Sequence, residues 1–200
     1  MGRLIIVGIL LIQLSGCTVL SAVLAIPSAI FDGFTGAFTS SEKILPTSMS
    51  VSLAAVQRGL MYADMEVDLL ESKDGNYIVA FGNYKLDGWM EISRQTSRLT
   101  SVYVKVRNGM LRERGIEATV LDVIHENALK LGENDTFDFT TYGEVKREPS
   151  AASECIGWYR HGGLLNVKAS ADAAWQVVSM PSGGEGYLPS SELAEKSEVR

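Results

Sequence analysis

Residues 65–106 read MEVDLLESKDGNYIVAFGNYKLDGWMEISRQTSRLTSVYVKV, and they carry the clearest strand and turn pattern of the chain. Apolar and polar side chains alternate at 65–69 and again at 99–106, and a period of two is typical of strands that bury one face. Asp74-Gly75 and Asp87-Gly88 supply the residues that tight turns favour. Because short turns force antiparallel pairing, the sequence predicts a four-stranded meander with strands at 65–69, 77–81, 89–92 and 99–106.

Two amphipathic segments flank the meander. Ser50 is predicted to cap a helix over residues 51–63. Apolar residues four positions apart predict a second helix over 112–131, which Gly132 ends. The helices are expected to cover the valine face of the last strand, which makes residues 43–132 a small α+β domain.

The N-terminus has the pattern of an export signal. Arg3 precedes an apolar run at 4–12, and Leu14-Ser15-Gly16-Cys17 follows it. These four residues resemble the lipobox of bacterial lipoproteins. The resemblance implies that residues 1–16 are a cleaved signal peptide and that Cys17 is acylated, so that lipid holds the mature chain at the cell envelope. Thr18, where such proteins can carry Asp, implies the outer membrane, facing the periplasm.

An uncleaved membrane anchor is the alternative interpretation. The apolar runs at 4–14 and 19–31 are both shorter than the ~20 residues that span a bilayer. Residues 17–42, rich in Gly, Ala and Ser, are therefore interpreted as the lipidated cysteine and its tether. With Cys17 acylated, Cys155 has no partner within the chain and is expected to be a buried small residue of a strand.

The chain has, in order, a lipobox, a tether, a helix that contains Ala54-Ala55-Val56-Gln57-Arg58-Gly59-Leu60, a meander and a second helix. In this order and this segment, residues 43–132 are similar to a family of small uncharacterised proteobacterial lipoproteins. The family implies a topology and no activity. Residues 133–141 are polar and are interpreted as a linker, and residues 195–200 as a tail.

The C-terminal part of the chain contains five short pieces, in the order Gly143-Glu144-Val145-Lys146-Arg147-Glu148-Pro149-Ser150, Cys155-Ile156-Gly157, Gly162-Gly163-Leu164-Leu165-Asn166-Val167, Trp175-Gln176-Val177-Val178 and Ser182-Gly183-Gly184-Glu185-Gly186-Tyr187-Leu188. With these pieces, residues 142–194 resemble a bacterial SH3 domain. Five short strands punctuated by Gly and Pro are also typical of a small barrel. The predicted fold class is therefore α+β, with a four-stranded meander and two helices followed by an all-β SH3-like barrel.

The SH3-like resemblance implies a non-enzymatic envelope lipoprotein that binds a peptide or peptidoglycan. Ligands of such domains lie across aromatic side chains, and the candidates here are Trp158, Tyr159, Trp175 and Tyr187. Trp175 and Tyr187 also suit a core, whereas one of the neighbours Trp158 and Tyr159 must face outward from a strand. Lys146 stands where the family usually has Arg, and Lys lacks the planar fork that holds a carboxylate.

Two other functions stay open. A scaffold subunit would dock an envelope protein through residues 43–132, with Trp89 and Tyr103 as exposed anchors. A cell-wall hydrolase would need a nucleophile, and a thiol dyad could be drawn from Cys155 and His161, although no oxyanion motif accompanies them.

The remaining chemistry-bearing residues predict no enzyme. His125 beside Glu126 lacks the spacing of a zinc protease. Glu66 and Asp68 are predicted to be a solvated pair on one strand face. The net charge of −6 argues against a nucleic-acid partner, which would require a basic surface. No catalytic residue, metal ion or cofactor is therefore expected.

Overall fold

The fold is organised around one antiparallel β-sheet. The computed structural model describes residues 41–194, which belong to one compact unit. The predicted signal peptide at 1–16, Cys17, the tether as far as residue 40 and the tail at 195–200 lie outside the described residues. The described part contains three helices, α1 Met49–Tyr62, α2 Arg114–Lys130 and α3 Ser190–Ala194.

Eleven strands are present between residues 41 and 194. They are β1 Glu42–Leu45, β2 Glu66–Lys73, β3 Asn76–Gly82, β4 Asp87–Thr96, β5 Leu99–Asn108, β6 Leu111–Arg112, β7 Tyr142–Lys146, β8 Cys155–Arg160, β9 Val167–Ala169, β10 Trp175–Ser179 and β11 Glu185–Pro189. Their order across the sheet is β1-β5-β4-β3-β2-β8-β7-β11-β10-β9, with β6 paired to β5 beside this path. All of these pairings are antiparallel.

The predicted fold class, a four-stranded meander with two helices followed by a separate SH3-like barrel, is wrong. The four central strands occur as β2 to β5, but β2 also pairs with β8, in the register Leu69↔Tyr159 and Glu71↔Gly157. This pairing makes the C-terminal strands a continuation of the same sheet. Alternation along a strand predicts its two faces and not its partner, so nothing in the pattern indicated a pairing between segments so far apart in the chain.

Strand β2 contributes side chains to two hydrophobic cores. A bulge between Val67 and Leu69 interrupts its alternation. Val67 and Leu70 therefore belong to the first core, with the helices, whereas Leu69 belongs to the second. The second core consists of Leu69, Val145, Ile156, Tyr159, Val178, Met180 and Leu188.

Helices α1 and α2 cover one face of β3, β4 and β5. The face contributes Met90, Ile92 and the three valines of β5, all of them buried. The N-cap of α1 is Ser48, whose hydroxyl accepts a hydrogen bond from the Val51 N–H at 3.5 Å, and not the predicted Ser50. Helix α2 begins at Arg114 because the two residues predicted to start it lie in or next to β6.

A buried carboxylate fixes the point at which the chain enters the described fold. Glu117 of α2 accepts two hydrogen bonds from the Arg112 guanidinium, at 2.8 Å each, one from the Ser41 hydroxyl and one from the Val106 N–H. Burial raises the pKa of a carboxyl, but these donors outweigh it and hold the pKa of Glu117 below its usual range. Ser41 is thereby tied to the end of β5.

The segment predicted as a linker packs against the first core. Phe137 is buried there, and the Phe139 ring lies 4.9 Å from the Trp158 ring. The Gln57 side chain exchanges hydrogen bonds with the backbone of Asp138 at 2.8 and 3.0 Å. Residues 133–141 therefore follow the surface of α1 towards β7.

The β2–β8 pairing predicts a sensitive glycine. A Cβ at Gly157 would lie 2.5 Å from the Leu70 carbonyl oxygen, so Gly157→Ala is expected to separate the two strands and lower the free energy of unfolding by about 1–3 kcal/mol. Gly115→Ala is the matched control, since a Cβ there meets no atom within 4 Å and alanine favours the helix. Urea denaturation of both variants measures the difference, and equal midpoints would contradict the pairing.

Candidate functional site

Tyr159 and Trp158 are both held by packing. Tyr159 is fully buried in the second core, and its hydroxyl donates a hydrogen bond to the Glu192 carboxylate of α3. Burial, reinforced by this carboxylate, raises the pKa of Tyr159. Trp158 is half-buried and packs against the first core beside Phe139. These two of the four candidate ligand residues therefore lie on opposite faces of β8, each against a core.

Trp175 and Tyr187 lie on a common surface. Trp175 is opposite Pro189 and Tyr187 is opposite Val177 in the β10–β11 pairing, so the two aromatic residues are diagonal neighbours on one side of this hairpin. Val178 and Leu188 point to the other side, into the second core. We call the side that carries Trp175, Val177 and Tyr187 the hairpin face.

The hairpin face combines a covered centre with a charged border. Val177 is buried although it does not belong to the second core, and its register neighbours are Tyr187 and Lys168. Both aromatic residues are half-buried. Lys168 forms an ion pair with Glu185 along the same strands. The surface is therefore an aromatic platform beside one cation and one anion.

Cys155 and His161, which the sequence offered as a thiol dyad, are separated by the length of β8. Cys155 begins the strand and His161 follows its end. Six residues of extended chain span about 20 Å, well beyond the reach of a thiol–imidazole hydrogen bond. Burial raises the pKa of the Cys155 thiol, which instead contacts the Gly157 carbonyl oxygen at 3.2 Å. This cysteine is half-buried and forms no disulfide with any described residue.

Glu66 and Asp68 are not the solvated pair that the sequence predicts. The bulge in β2 places Asp68 in a buried position, where Arg160 donates a hydrogen bond to its carboxylate at 2.7 Å and the Leu164 N–H donates another at 3.2 Å. Arg160 also pairs with the exposed Glu66, at 2.9 Å. Burial raises the pKa of Asp68, and the hydrogen bond from Arg160 offsets only part of this rise. The cluster joins β2, β8 and the loop after β8.

A second surface lies on the face of β4, β5 and β1 opposite α1 and α2, which we call the outer sheet face. The Trp89 and Tyr103 rings, proposed from sequence as docking anchors, are 5.3 Å apart there and half-buried. Tyr103 stands between Glu42 and Glu91 in the strand register. Burial raises the pKa of Glu91, and the nearby Glu42 carboxylate raises it further. The hydrogen bond from the Ser93 hydroxyl lowers this pKa but offsets only part of the rise.

The Glu91 carboxylate was missed by sequence reasoning. Its signal was present, because Trp89 and Glu91 alternate with the buried Met90 and Ile92 and so had to share the outer sheet face with Tyr103. Neither Glu42 nor Glu91 forms an ion pair within the described residues.

Within residues 41–194, no group of three or more His, Cys, Asp or Glu side chains is placed to hold a metal ion. None of the helices in this part of the chain combines the length and the apolar character that crossing a bilayer requires.

Comparison of the chain with protein-family models, curated proteins and solved structures returned no match. The features of the chain that bear on its function are therefore the two surfaces and the N-terminal sequence.

The raised pKa of Glu91 predicts a pH-dependent effect on stability. The unfolded chain releases this proton near the ordinary value of 4.5, and the folded chain releases it at higher pH. The free energy of unfolding therefore falls as pH rises through this interval, and it stays lower above it. Glu91→Gln is expected to be more stable than the parent at pH 7 and equal to it in acid.

Urea midpoints at several pH values measure this difference. Glu148→Gln, at an exposed position in the connection after β7, is the control and should not change the midpoint at any pH. A Glu91→Gln variant that is no more stable than the parent at pH 7 would contradict the cost of burying this carboxylate.

Proposed function

We propose that this chain is a non-catalytic protein of a bacterial envelope, held by lipid at Cys17, which binds an extended peptide or peptidoglycan ligand across the hairpin face. The observation that supports the binding site is the placement of Trp175 and Tyr187 as diagonal neighbours on one side of β10 and β11. Aromatic rings so placed offer area for a peptide or sugar chain to stack on.

The border of the hairpin face suits a ligand with both charges. Lys168 and Glu185 form an ion pair across the strands. A carboxylate of the ligand can replace Glu185 as the partner of Lys168, and an amine of the ligand can replace Lys168 as the partner of Glu185. A peptide linked to a sugar chain carries such groups.

The exposed edge of the sheet supports an extended ligand. Strand β9 ends the sheet, all three of its residues are exposed, and β10 is its partner among the described strands. An extended peptide can add to such an edge through its backbone and place alternate side chains on one face. Lys168 of β9 is in register with Val177, so a peptide on this edge would run beside the hairpin face.

The proposed location rests on the first residues of the chain. The order of Arg3, an apolar run and Leu14-Ser15-Gly16-Cys17 supports export, cleavage before Cys17 and acylation. Thr18 supports the outer membrane, facing the periplasm, as the site of attachment.

A second candidate function is docking of an envelope protein on the outer sheet face. The favouring observation is that Glu42 and Glu91 flank the Tyr103 ring in the strand register. A Lys or Arg of a partner could lie over the ring and pair with both carboxylates. Such a cation would also relieve the cost of burying Glu91.

Lipid attachment is tested at Cys17. Cells that express the full chain and are fed labelled palmitate should incorporate label, and Cys17→Ser should abolish it because the acylated sulfur is gone. Cys155→Ser is the matched control and should keep the label. Mass spectrometry of the N-terminal peptide should show that the chain begins at residue 17 and carries acyl groups. An unmodified chain that still begins at Met1 would contradict the lipid anchor.

Ligand binding is tested at the hairpin face. Trp175→Ala and Tyr187→Ala are each expected to weaken co-sedimentation of the protein with isolated peptidoglycan about tenfold or more, the loss that follows removal of an aromatic anchor. Trp158→Ala is the matched control, because Trp158 is also half-buried but packs against the first core. Tyr159→Ala tests folding and not binding, since Tyr159 is fully buried.

The outcomes separate the two candidates. Equal losses for Trp158→Ala and Trp175→Ala would show a folding defect and contradict the site. Full binding by Trp175→Ala, together with a single protein captured by a photoreactive residue at position 103, would favour docking on the outer sheet face.

A further inference from the structure

Five large apolar side chains project into solvent around one end of the sheet. Met61 and Tyr62 lie in the last turn of α1, Tyr84 lies in the β3–β4 loop, and Met110 and Leu111 lie at the β5–β6 turn. They are between 67% and 100% exposed. We call these five residues the apolar rim. Single exposed apolar residues are ordinary, but a cluster of them marks an interaction surface.

The strand register places these segments at the same end. Glu66 pairs with Gly82, Gly82 with Asp87, and Asp87 with Arg107. The connection from α1 to β2, the β3–β4 loop and the β5–β6 turn therefore meet at one end of neighbouring strands. The Asn83 side chain donates a hydrogen bond to the Asp64 carbonyl oxygen at 2.9 Å, which holds the first two of these segments together.

The chain enters the described fold at this end too. The Ser41 carbonyl oxygen accepts a hydrogen bond from the Val104 N–H at 2.9 Å, and the Ser41 hydroxyl is bound to the buried Glu117. The residues before this point include Cys17 and the apolar run at 19–31. The anchor of the proposed function therefore joins the fold beside the apolar rim.

We propose that the apolar rim is the surface with which the fold rests on a lipid bilayer. The proposal rests on the lipid anchor of the proposed function and adds an orientation to it. Residues 18–40, 23 in number, lie between Cys17 and Ser41, and an extended chain of that length reaches about 80 Å. The anchor alone would leave the fold free to tumble, whereas the rim holds one end of the sheet against the membrane.

The chemistry of the rim fits the interfacial region of a bilayer. Tyrosine places a ring among the acyl chains and a hydroxyl among the headgroups, which is why it is enriched at membrane interfaces. Met110, the most exposed of the five, and Leu111 supply flexible apolar contacts at the tip of the turn.

Charge does not explain attachment at this end. Charged residues of both signs border the rim, so insertion of apolar side chains and not attraction to anionic lipid is the driving force. Neutral lipid should suffice, and salt should have little effect. The bordering basic residues are Lys85, Arg107 and Arg114, and the bordering acidic residues are Asp64, Asp87 and Glu113.

Leu129 provides a control at the other end of the fold. It is 62% exposed, close to the values in the rim. Helix α2 starts beside the β5–β6 turn, so its last turn lies away from the rim, where Glu133 forms an ion pair with Arg98 of the β4–β5 turn.

The experiment places tryptophan at three positions of the full chain. Tyr84→Trp, Leu111→Trp and Leu129→Trp are each purified with the anchor and reconstituted into phosphatidylcholine vesicles with or without brominated acyl chains. The emission of the parent protein, which contains three tryptophans, is subtracted. Emission from positions 84 and 111 is expected to fall about twofold in brominated vesicles, because an inserted apolar surface lies about 5–10 Å deep at the headgroup–acyl boundary. Emission from position 129 should not change.

Three other results would each overturn the proposal for a different reason. If the protein floats with the vesicles and no position is quenched, the anchor stands and the rim inference fails. If positions 84 and 111 are shielded from aqueous acrylamide but not quenched by bromine, protein covers the rim, from this chain or a second copy. If the unsubstituted chain does not float with the vesicles, the lipid anchor of the proposed function itself fails.

Discussion

The structure depends on one strand that serves two cores. The bulge in β2 sends Val67 and Leu70 towards the helices and Leu69 towards the C-terminal strands. Adjacent residues of any regular strand point to opposite faces, of which one is often exposed to solvent. In β2 both faces pack against a hydrophobic core. A strand buried on both sides cannot be displaced without exposing two cores to water. The helical part and the C-terminal strands are therefore mutually dependent, although each has its own core.

Buried carboxylates hold the C-terminal strands to this strand. The Asp68 carboxylate accepts hydrogen bonds from the Arg160 guanidinium and from the backbone N–H of Leu164, which follows β8. The Glu71 carboxylate accepts hydrogen bonds from the N–H and the hydroxyl of Ser182 in the β10–β11 turn, at 2.8 and 2.6 Å. A buried carboxylate is stable only where donors satisfy its oxygens, so each pair admits one arrangement of the strands. The hairpin face and the edge of β9 are thus presented in a fixed direction relative to β2.

Local elements and the hairpin pairings among β2 to β5 could be predicted from the sequence, and the long-range pairings could not. The alternation at 99–106 and the spacing of Ile116, Val120 and Ile124 placed β5 and α2 within a few residues of their observed bounds. The bulge at Asp68 left no trace in a pattern that reads as regular alternation, and it turned an apparently solvated carboxylate into a buried one. The strand pattern of 142–194 suits a closed barrel or a sheet extension equally well, and the pairing of β8 with β2 decides between them.

The aromatic candidates show the same limit. Adjacent Trp158 and Tyr159 had to face opposite sides of a strand, but only the second core shows that both sides are packed. Trp175 and Tyr187 lie in different strands, and their proximity follows from a register that no single segment contains. Glu91, by contrast, could be assigned to the outer sheet face from alternation alone.

The partnership of β2 and β8 has a consequence for how the polypeptide reaches its native state. Residues 74–154 separate the two strands, so β2 emerges from the ribosome long before its neighbour does. Until then its backbone N–H and C=O groups form an unpaired edge, which strands of other molecules can occupy. Contacts between segments so distant in the chain also form slowly. Newly synthesised copies are therefore most prone to pair edge to edge in the interval before the last quarter of the polypeptide has folded onto β2.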